Sequence, residues 1–296
     1  MQLAIIGTGN MGQAILKGII RQQTAKPADI KIFDTDLAKA AALAAELGVS
    51  AAVDAAETIK NADVVILATK PAVCETALVP LRSVFTGKQI QVSIAAGLTL
   101  ARLRHIAGPE PVLARVMPNM PALAGCGVSA LALEQPDVKV EQLLLNLFTA
   151  IGDVHLVDES LFDAVTALSG SGPAYMMLIL EALADGAVEA GLQRELAIKM
   201  AAQTMAGSAR LLLETSSHPG QIKDQVCSPG GTSIAGISAL EARGARAALM
   251  AAVRAAAKKS AAMREEAECS NPAADPAKNG KTEQIKIEMA ANEAHD

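Results

Sequence analysis

The stretch that decides the fold is Leu3-Ala4-Ile5-Ile6-Gly7-Thr8-Gly9-Asn10-Met11-Gly12, an apolar run followed by a G-x-G-x-x-G pattern. A strand, such glycines and then a helix are the arrangement that binds the pyrophosphate of a dinucleotide. Gly7 permits the tight turn, Gly9 lets the backbone approach the phosphates, and Gly12 lets helix and strand pack closely. Unpaired N–H groups at the helix start attract the phosphates. The alternative is three ordinary turn glycines. The residues predicted to bind a cofactor here are Gly7, Thr8, Gly9, Asn10, Met11 and Gly12.

Beyond this motif, the first half of the chain alternates short apolar runs with helical patterns. Strands are predicted at residues 3–6, 30–33, 64–68, 89–94, 112–116, 127–133 and 153–157, and helices at residues 11–22, 36–47 and 72–81. Strands that are apolar throughout and alternate with helices are typical of a doubly wound, mostly parallel sheet that is covered on both faces. The predicted fold class of this region is therefore α/β.

The pattern changes near residue 160, beyond which the sequence shows no convincing strand. Long helices are predicted at residues 174–191 and 194–215, with at least one more within 232–264. The first is apolar on nearly all sides, so it must be buried within its domain or against another subunit. We predict a dinucleotide-binding domain at residues 1–159, an all-α domain at 160–268 and a disordered polar tail at 269–296.

Composition and charge exclude several classes of protein. Only 2% of the 296 residues are aromatic, so recognition of single-stranded nucleic acid by base stacking is not expected. The net charge of −5 offers no general attraction to phosphate polymers. No unbroken apolar run of about 18 residues occurs, so no membrane-spanning helix is predicted. Four cysteines without a C-x-x-C pair argue against disulfide and zinc sites and favour a reducing, cytoplasmic location.

Further candidate cofactor residues follow the predicted strands at their carboxyl ends, where ligands bind in open α/β sheets. Asp34 would accept hydrogen bonds from the adenine ribose and repel a 2′-phosphate, which favours NAD over NADP; alternatively it caps the helix predicted from residue 36. Lys70 either faces the phosphates or ribose of the cofactor or is a solvated loop lysine. The small residues after the 89–94 strand form either a flat surface for a ring or a close-packed turn. The residues concerned, besides Asp34, are Ala68, Thr69, Lys70, Pro71, Ala95 and Ala96.

Two glycine-rich segments stand out in the helical half. The first, residues 168–175, precedes the long apolar helix, with Ser171 placed to cap it and Pro173 suited to its first turn. The second reads Ser228-Pro229-Gly230-Gly231-Thr232-Ser233. A Gly-Gly pair followed by hydroxyl side chains at a helix start forms a nest for a small anion such as a carboxylate. Each segment is alternatively a plain turn between helices.

Together these segments resemble those of the pyrroline-5-carboxylate reductase family. The similarity rests on Arg115-Val116-Met117-Pro118-Asn119-Met120-Pro121-Ala122, on residues 168–175 and 224–236, and on residues 7–12, 68–71 and 93–97 in the same order. It implies an N-terminal Rossmann domain and a helical domain that interlocks with a partner subunit in a dimer, often assembled into a decamer. The implied activity is reduction of 1-pyrroline-5-carboxylate to L-proline by NAD(P)H, the last step of proline biosynthesis.

The resemblance also implies where the substrate binds, at the dimer interface near the nicotinamide. The loop at residues 228–233 would hold its carboxylate, partly through the backbone N–H groups of Gly231, Thr232 and Ser233, and the carbonyl of Val226 would meet the ring nitrogen. Members usually end this loop with two Thr, whereas Ser233 stands here and keeps the hydroxyl. Many place an Asn that supports a 2′-phosphate where this chain has Ala55, which again favours NAD over the commonly used NADP. The predicted substrate-binding residues are Val226, Ser228, Gly230, Gly231, Thr232 and Ser233, with Ser228 and Ser233 as the candidate catalytic residues.

The predicted chemistry does not require a strong general acid. The cofactor carries the hydride, the protein supplies position and electrostatics, and a protonated imine can be bound directly from solution. No metal site is predicted, the four His form no cluster, and Tyr175 is either an acid or a packing residue. Two alternatives remain, a β-hydroxyacid-type dehydrogenase and a non-catalytic NAD(P) sensor. The former needs a catalytic Lys that the segment after Gly172 lacks.

Overall fold

The computed structural model describes residues 1–269, and one sheet of eight strands organises the first half of the chain. The strands are β1 (Leu3–Ile6), β2 (Ile30–Phe33), β3 (Ser50–Ala51), β4 (Val64–Leu67), β5 (Ile90–Ser93), β6 (Val112–Met117), β7 (Gly127–Leu133) and β8 (Gly152–Leu156). Their order in the sheet is β3-β2-β1-β4-β5-β6-β7-β8. Only the β6–β7 pair is antiparallel. The predicted doubly wound, mostly parallel sheet is confirmed.

Helices cover both faces of this sheet and then form the rest of the described chain. They are α1 (Asn10–Arg21), α2 (Leu37–Leu47), α3 (Ala55–Ile59), α4 (Pro71–Leu78), α5 (Leu100–Ala107), α6 (Val138–Phe148), α7 (Phe162–Val165), α8 (Gly172–Glu189), α9 (Arg194–Thr215), α10 (Pro219–Val226), α11 (Thr232–Ala242) and α12 (Ala245–Cys269). A π-helical turn, Thr166–Gly170, joins α7 to α8. Every element described from Glu159 onward is helical, so the predicted all-α second half is confirmed.

The sheet has a hydrophobic core on each face because successive side chains of a strand point to opposite sides. Leu3 and Ile5 of β1 pack into the cluster beneath α1, α2 and α6, whereas Ala4 and Ile6 pack into the cluster beneath α3, α4 and α5. All four β1 residues are buried. Burial of each Leu or Ile side chain contributes about 1.5–3 kcal/mol, so the sheet region has a core of its own.

The helical half differs because its apolar side chains remain exposed in a single chain. Only Gly172 and Ala184 of α8 are buried, only Ala197 of α9, and no residue of α11. The segment Glu159–Glu189 is long and apolar enough to cross a membrane by length and composition, which the sequence analysis did not predict. A helix that packs against a second subunit has the same composition, because it too must bury all its sides.

Several local predictions need correction. The helix predicted at 174–191 spans Gly172–Glu189 and continues directly from the π-helical turn, so Ser171 makes no side-chain cap hydrogen bond. The region predicted at 232–264 holds two helices, which are separated near Gly244, a residue with φ +70°. The predicted elements did not include β3, α3, α5, α6, α7 or α10. The tail predicted at 269–296 lies outside the described residues, apart from the last residue of α12.

Candidate functional site

The candidate cofactor crevice lies where the strand order reverses, at the carboxyl ends of β1 and β4. Ile6 of β1 pairs with Leu67 of β4, which pairs with Ser93 of β5, so the three strands end side by side. The backbone N–H of Ala68 donates to the carbonyl of Ile6 at 2.8 Å. The loops that follow these strands therefore meet at one edge of the sheet, the edge at which ligands bind in such folds.

The three glycines of the first loop occupy three different environments. Gly7 has φ +99°, and a Cβ atom there would lie 2.6 Å from the carbonyl oxygen of Ala68. A Cβ atom at Gly12 would overlap the carbonyl oxygen of Gly7. At Gly9 nothing lies within 4 Å of a Cβ position, and no side chain caps α1, which begins at the next residue. The open approach and uncapped N–H groups fit a dinucleotide pyrophosphate.

Asp34 turns its carboxylate towards the glycine loop. One oxygen accepts hydrogen bonds from the backbone N–H of Thr8 at 2.7 Å and from its hydroxyl at 2.8 Å. Lys39 Nζ lies 3.8 Å from the same oxygen. Burial alone would raise the pKa of Asp34, but the hydrogen bonds from Thr8 and Asp36 and the charge of Lys39 together lower it. The carboxylate is therefore ionised at neutral pH beside the crevice.

The alternative role of Asp34, that of helix cap, belongs to another residue. Asp36 stands at the N-cap of α2, where its carboxylate accepts from the backbone N–H of Lys39 at 3.0 Å. Ala55, at the start of α3, is half-buried against the second core cluster, and its methyl side chain offers no hydrogen bond to a ligand. The end of β2 therefore carries an anion, and the helix α3 that packs beside this strand begins with an apolar side chain.

The remaining candidate cofactor residues line the carboxyl ends of β4 and β5. Lys70 is exposed just before α4, which begins with Pro71. Thr69 directs its hydroxyl to the thiol of Cys74, 3.3 Å away. Burial raises the pKa of that thiol, so it stays protonated. Ala95 is buried, with its N–H donating to the hydroxyl of Ser93 at 3.3 Å, whereas Ala96 is half-buried. Of these two small residues, only Ala96 is therefore partly exposed after β5.

The candidate substrate loop lies between α10 and α11. Val226 ends α10, and Gly230 has φ +66°. Gly231 stands at the N-cap of α11, and no side chain caps this helix. Contrary to the prediction, the N–H of Gly231 is not free for an anion, because it donates to the carbonyl of Ser228 at 3.0 Å within the loop. The helix start at Thr232 and Ser233 carries the anion-binding potential.

A wide apolar groove of about 1090 Å³ borders this loop. Thr232 and Ser233 form part of its wall, together with Val226 and the otherwise unassigned Cys227 and Lys223. No residue of 1–159 lines it, so the groove lies apart from the dinucleotide crevice within one chain. The structure thus brings the cofactor candidates together at one site and the substrate candidates at another.

Two polar residues that received no role from the sequence join the sheet to the helical half. Arg115 of β6 is 3% exposed, donates to Glu159 at 3.0 Å and lies 4.4 Å from the ring centroid of Phe162. Burial lowers the pKa of Arg115, while Glu159 opposes that shift. Asn119 donates to the carbonyl of Ser169 at 3.0 Å. Both could have been identified in the sequence, because each is a polar residue in an otherwise apolar segment.

Tyr175 and the histidines, the other candidates for catalysis or metal binding, are placed as follows. Tyr175 is half-buried on α8. His218 caps α10 and His155 pairs with Asp153 at 2.9 Å, while His295 lies outside the described residues. Among the residues that the structure describes, no group of three His, Cys, Asp or Glu side chains is placed to hold a metal ion.

Comparison with known families gives a match for each half of the chain. Residues 2–97 match a family model described as NADP oxidoreductase coenzyme F420-dependent. Residues 159–263 match the model described as pyrroline-5-carboxylate reductase dimerisation. The chain is homo-oligomeric by this second match, consistent with the exposed apolar helices.

Curated relatives and solved structures match nearly the whole length. Pyrroline-5-carboxylate reductase from Synechocystis is 43% identical over 262 residues, which cover 88% of this chain and 97% of the relative. The Escherichia coli enzyme is 40% identical over 85% of this chain and 94% of its own.

The fold agrees with these sequence matches. A pyrroline-5-carboxylate reductase structure from Coxiella burnetii has a TM-score of 0.84 at 33% identity, covering 88% of this chain and 98% of that one. The Plasmodium falciparum pyrroline carboxylate reductase structure, which has NADP bound, has a TM-score of 0.79 at 29% identity, covering 89% and 98%. A dinucleotide crevice, a helical half that one chain leaves uncovered, and these matches along both halves lead to one conclusion: the chain belongs to the pyrroline-5-carboxylate reductase family.

Proposed function

We propose that this protein reduces the C=N bond of 1-pyrroline-5-carboxylate to L-proline, the last step of proline biosynthesis, with NAD(P)H as hydride donor. The observation that carries the proposal is identity of 40–43% to curated reductases along nearly their whole length, across both the crevice and the helical half. The chain is accordingly an NAD(P)H-dependent oxidoreductase. The fit of the crevice to a dinucleotide supports this independently.

The cofactor is held by the loop Gly7, Thr8, Gly9, Asn10, Met11 and Gly12 and by the strand-end residues. Uncapped N–H groups at the start of α1 meet the pyrophosphate, with Gly9 leaving room for its approach. Asp34 accepts hydrogen bonds from the adenine ribose. The strand-end contribution comes from Ala68, Thr69, Lys70, Pro71, Ala95 and Ala96.

The substrate carboxylate is held at the start of α11. Backbone N–H groups of Thr232 and Ser233 and the partial positive charge of an uncapped helix favour an anion there. The hydroxyls of Ser228 and Ser233 add hydrogen bonds, and Gly230 provides the left-handed turn that shapes the loop. The carbonyl of Val226, at the end of α10, accepts a hydrogen bond from the protonated ring nitrogen.

The residues of this site act by positioning rather than by proton transfer. The bound cofactor supplies a hydride to C5 of the imine. A pyrroline ring bound as its iminium already carries the proton that the product amine retains, so the loop only has to orient it. The carbonyl of Val226 favours the charged form, since a hydrogen bond to a cation stabilises it.

A second copy of the chain completes the site. The groove beside Ser233 is apolar and contains no residue of the sheet region, and α8 exposes Met177 (58%) and Leu178 (68%). We propose a dimer through residues 160–268, a decamer built from such dimers, and 1–159 as the cofactor domain. We also propose a cytoplasmic location, because a reducing compartment keeps cysteines unpaired. The three cysteines that the structure describes, Cys74, Cys126 and Cys227, are unpaired.

The adenosine end of the crevice favours NADH over NADPH. The ionised Asp34 would face a 2′-phosphate, and like charges repel. Lys39, which could otherwise pair with a phosphate, already forms an ion pair with Asp34 at 3.8 Å. The methyl side chain of Ala55 adds no hydrogen bond for a phosphate.

One assay tests the function. Oxidation of NADH and NADPH is followed with pyrroline-5-carboxylate, beside reduction of NAD and NADP with a 3-hydroxy acid. Turnover of the imine with L-proline as product is expected. Turnover of the hydroxy acid alone would instead favour the β-hydroxyacid-type dehydrogenase. Tight cofactor binding with neither turnover would favour a sensor.

A further inference from the structure

We propose that Asn119 is a positioning residue that aligns the helical half with the cofactor crevice, through its hydrogen bond to the π-helical turn Thr166–Gly170. The inference rests on the proposed function, because alignment matters only if hydride passes between the two sites. It starts from the separation of these sites: the groove at Ser233 contains no residue of 1–159. Their relative position therefore depends on the contacts that join sheet and helices, as well as on the dimer proposed above.

Asn119 makes two hydrogen bonds that face in different directions. Its amide NH₂ donates to the carbonyl of Ser169 at 3.0 Å, and its amide oxygen accepts from the backbone N–H of Val128 at 3.0 Å. The residue is 7% exposed. It stands at the N-cap of a short 3-10 turn but does not cap it; one of its hydrogen bonds holds the side chain to β7 within the sheet region, and the other crosses to the helical half.

The partner of Asn119 is an irregular piece of helix. The N–H of Ser171 donates to the carbonyl of Thr166 at 2.8 Å, the spacing of a π-helix. Such turns are rare and occur frequently at functional sites. Met117, at the end of β6, packs on the same turn, since a Cβ atom at Gly170 would lie 2.9 Å from its Cε. The end of β6 thus holds the turn from which α8 begins.

The other side-chain hydrogen bonds around the junction do not reach this turn. Arg115 holds Glu159, which lies before the turn in the chain. Asp163 of α7 accepts from Ser260 and Arg264 of α12, within the helical half. Only the bond from Asn119, among the side-chain hydrogen bonds described above, connects the sheet to the turn itself. The hydrogen bond of Asn119 and the packing of Met117 against Gly170 therefore both join the sheet to the start of α8.

The substitution Asn119→Asp removes one of the two hydrogen bonds and keeps the other. It keeps an oxygen for Val128 but removes the donor to Ser169, and it changes the charge by one unit. The matched control is Asn146→Asp, the same change on the exposed side of α6, away from the junction. Thermal stability of both variants is measured beside their kinetics.

We expect kcat with pyrroline-5-carboxylate to fall about ten- to hundredfold in Asn119→Asp, because small misplacements of reacting groups cost rates of this order. KM for the nicotinamide cofactor should stay within about twofold, since the crevice is untouched. The deuterium isotope effect with 4-deuterated cofactor should increase as hydride transfer becomes rate-limiting. Asn146→Asp should match the wild type.

A pH profile distinguishes positioning from loss of fold. The new carboxyl is buried and faces a carbonyl, so its pKa lies above the usual value of about 4. As pH falls it gains a proton and can donate to Ser169, so the activity of the variant relative to wild type should rise. A ratio independent of pH, or a wild-type kcat and isotope effect, would refute the proposal.

Two further measurements keep the test decisive. If Asn119→Asp does not fold, Asn119→Ser should show the same fall in kcat at unchanged cofactor KM, and an unchanged kcat would refute the proposal. If the wild type does not reduce pyrroline-5-carboxylate, the proposed function fails by itself. Hydrogen exchange then judges the positioning role: amides of residues 166–172 should exchange faster in the variant, with residues 10–21 unchanged, and equal exchange would overturn it.

Discussion

Two aspartates that lie two residues apart do different work. Asp36 caps α2, which is the common use of such a side chain at a helix start. Asp34 instead binds Thr8, 26 residues earlier in the chain, and holds a negative charge beside the crevice. Both follow β2 closely in the sequence, which left two alternatives for Asp34: binding the adenine ribose or capping α2. Only the fold separates them.

The charge of Asp34 leads to a test of cofactor preference. Asp34→Ser should raise kcat/KM for NADPH relative to NADH about tenfold, because a like charge no longer faces the 2′-phosphate. The lowered pKa keeps the carboxylate ionised, so the wild-type preference should not vary between about pH 7 and 8, where the 2′-phosphate is also largely ionised. Asp137→Ser, which replaces the N-cap of α6, is a control of equal charge. Equal ratios in wild type and Asp34→Ser would contradict the assignment.

Ser233 is the corresponding test on the substrate side. Ser233→Ala should raise KM for pyrroline-5-carboxylate and lower kcat/KM about ten- to hundredfold, since it removes a hydrogen bond to a charged group. Cofactor affinity, measured by fluorescence titration, should be nearly unchanged. Ser238→Ala, on the same helix but exposed and beyond the loop, serves as the control. Unchanged steady-state kinetics in Ser233→Ala would defeat the assignment.

At the scale of elements, α1 carries the clearest division between packing and binding. Gly12 lets the helix approach the first loop and Ala68, with no room for a Cβ atom. Gly9, at the N-cap, has open space. Replacement by alanine should therefore disturb packing at Gly12 and cofactor binding at Gly9.

Gly12→Ala should lower the free energy of unfolding by about 1–3 kcal/mol through overpacking, although alanine favours a helix. Gly9→Ala should leave the melting temperature close to that of the wild type and weaken cofactor binding about tenfold, because the methyl group occupies the approach of the pyrophosphate. Calorimetry and cofactor titration of both variants check this. A destabilised Gly9→Ala with normal affinity would contradict it.

The elements missing from the prediction were short or lay at edges. β3 has two residues and α3 five, which is too little for a periodic pattern. α10 begins with Pro219 and Gly220 and spans eight residues. For α5 and α6 a usable signal was present, since Thr99 and Asp137 cap them through their side chains.

At the scale of the whole molecule, the chain has one region with its own core and one without. The helices α8 to α12 are rich in small and apolar residues, which permit close packing between helices but bury little within one copy. The apolar surface they expose is of the kind that marks an interface. The scarcity of aromatic residues, 2% of the chain, agrees with helices that approach closely.

Leu178→Glu should therefore dissociate the oligomer and abolish turnover, because a charge buried at an interface without a partner costs several kcal/mol. Sedimentation velocity should show at least twice the mass of one chain for the wild type and a smaller species for the variant. Val138→Glu, at a residue 81% exposed on α6, introduces the same charge outside the helical half and should change neither. An intact, active oligomer in Leu178→Glu would contradict the interface.

What the amino-acid sequence determined by itself was the order of strands and helices, the glycine loop and the family, because periodicity and motifs depend on residues close together in the chain. The tertiary structure alone decided that Asp34 turns to Thr8 and that Asn119 reaches Ser169, 50 residues away. The tertiary structure also showed that the apolar helices of the second half remain exposed in a single chain. These outcomes depend on which surfaces pack together, and local sequence patterns do not specify contacts between distant segments.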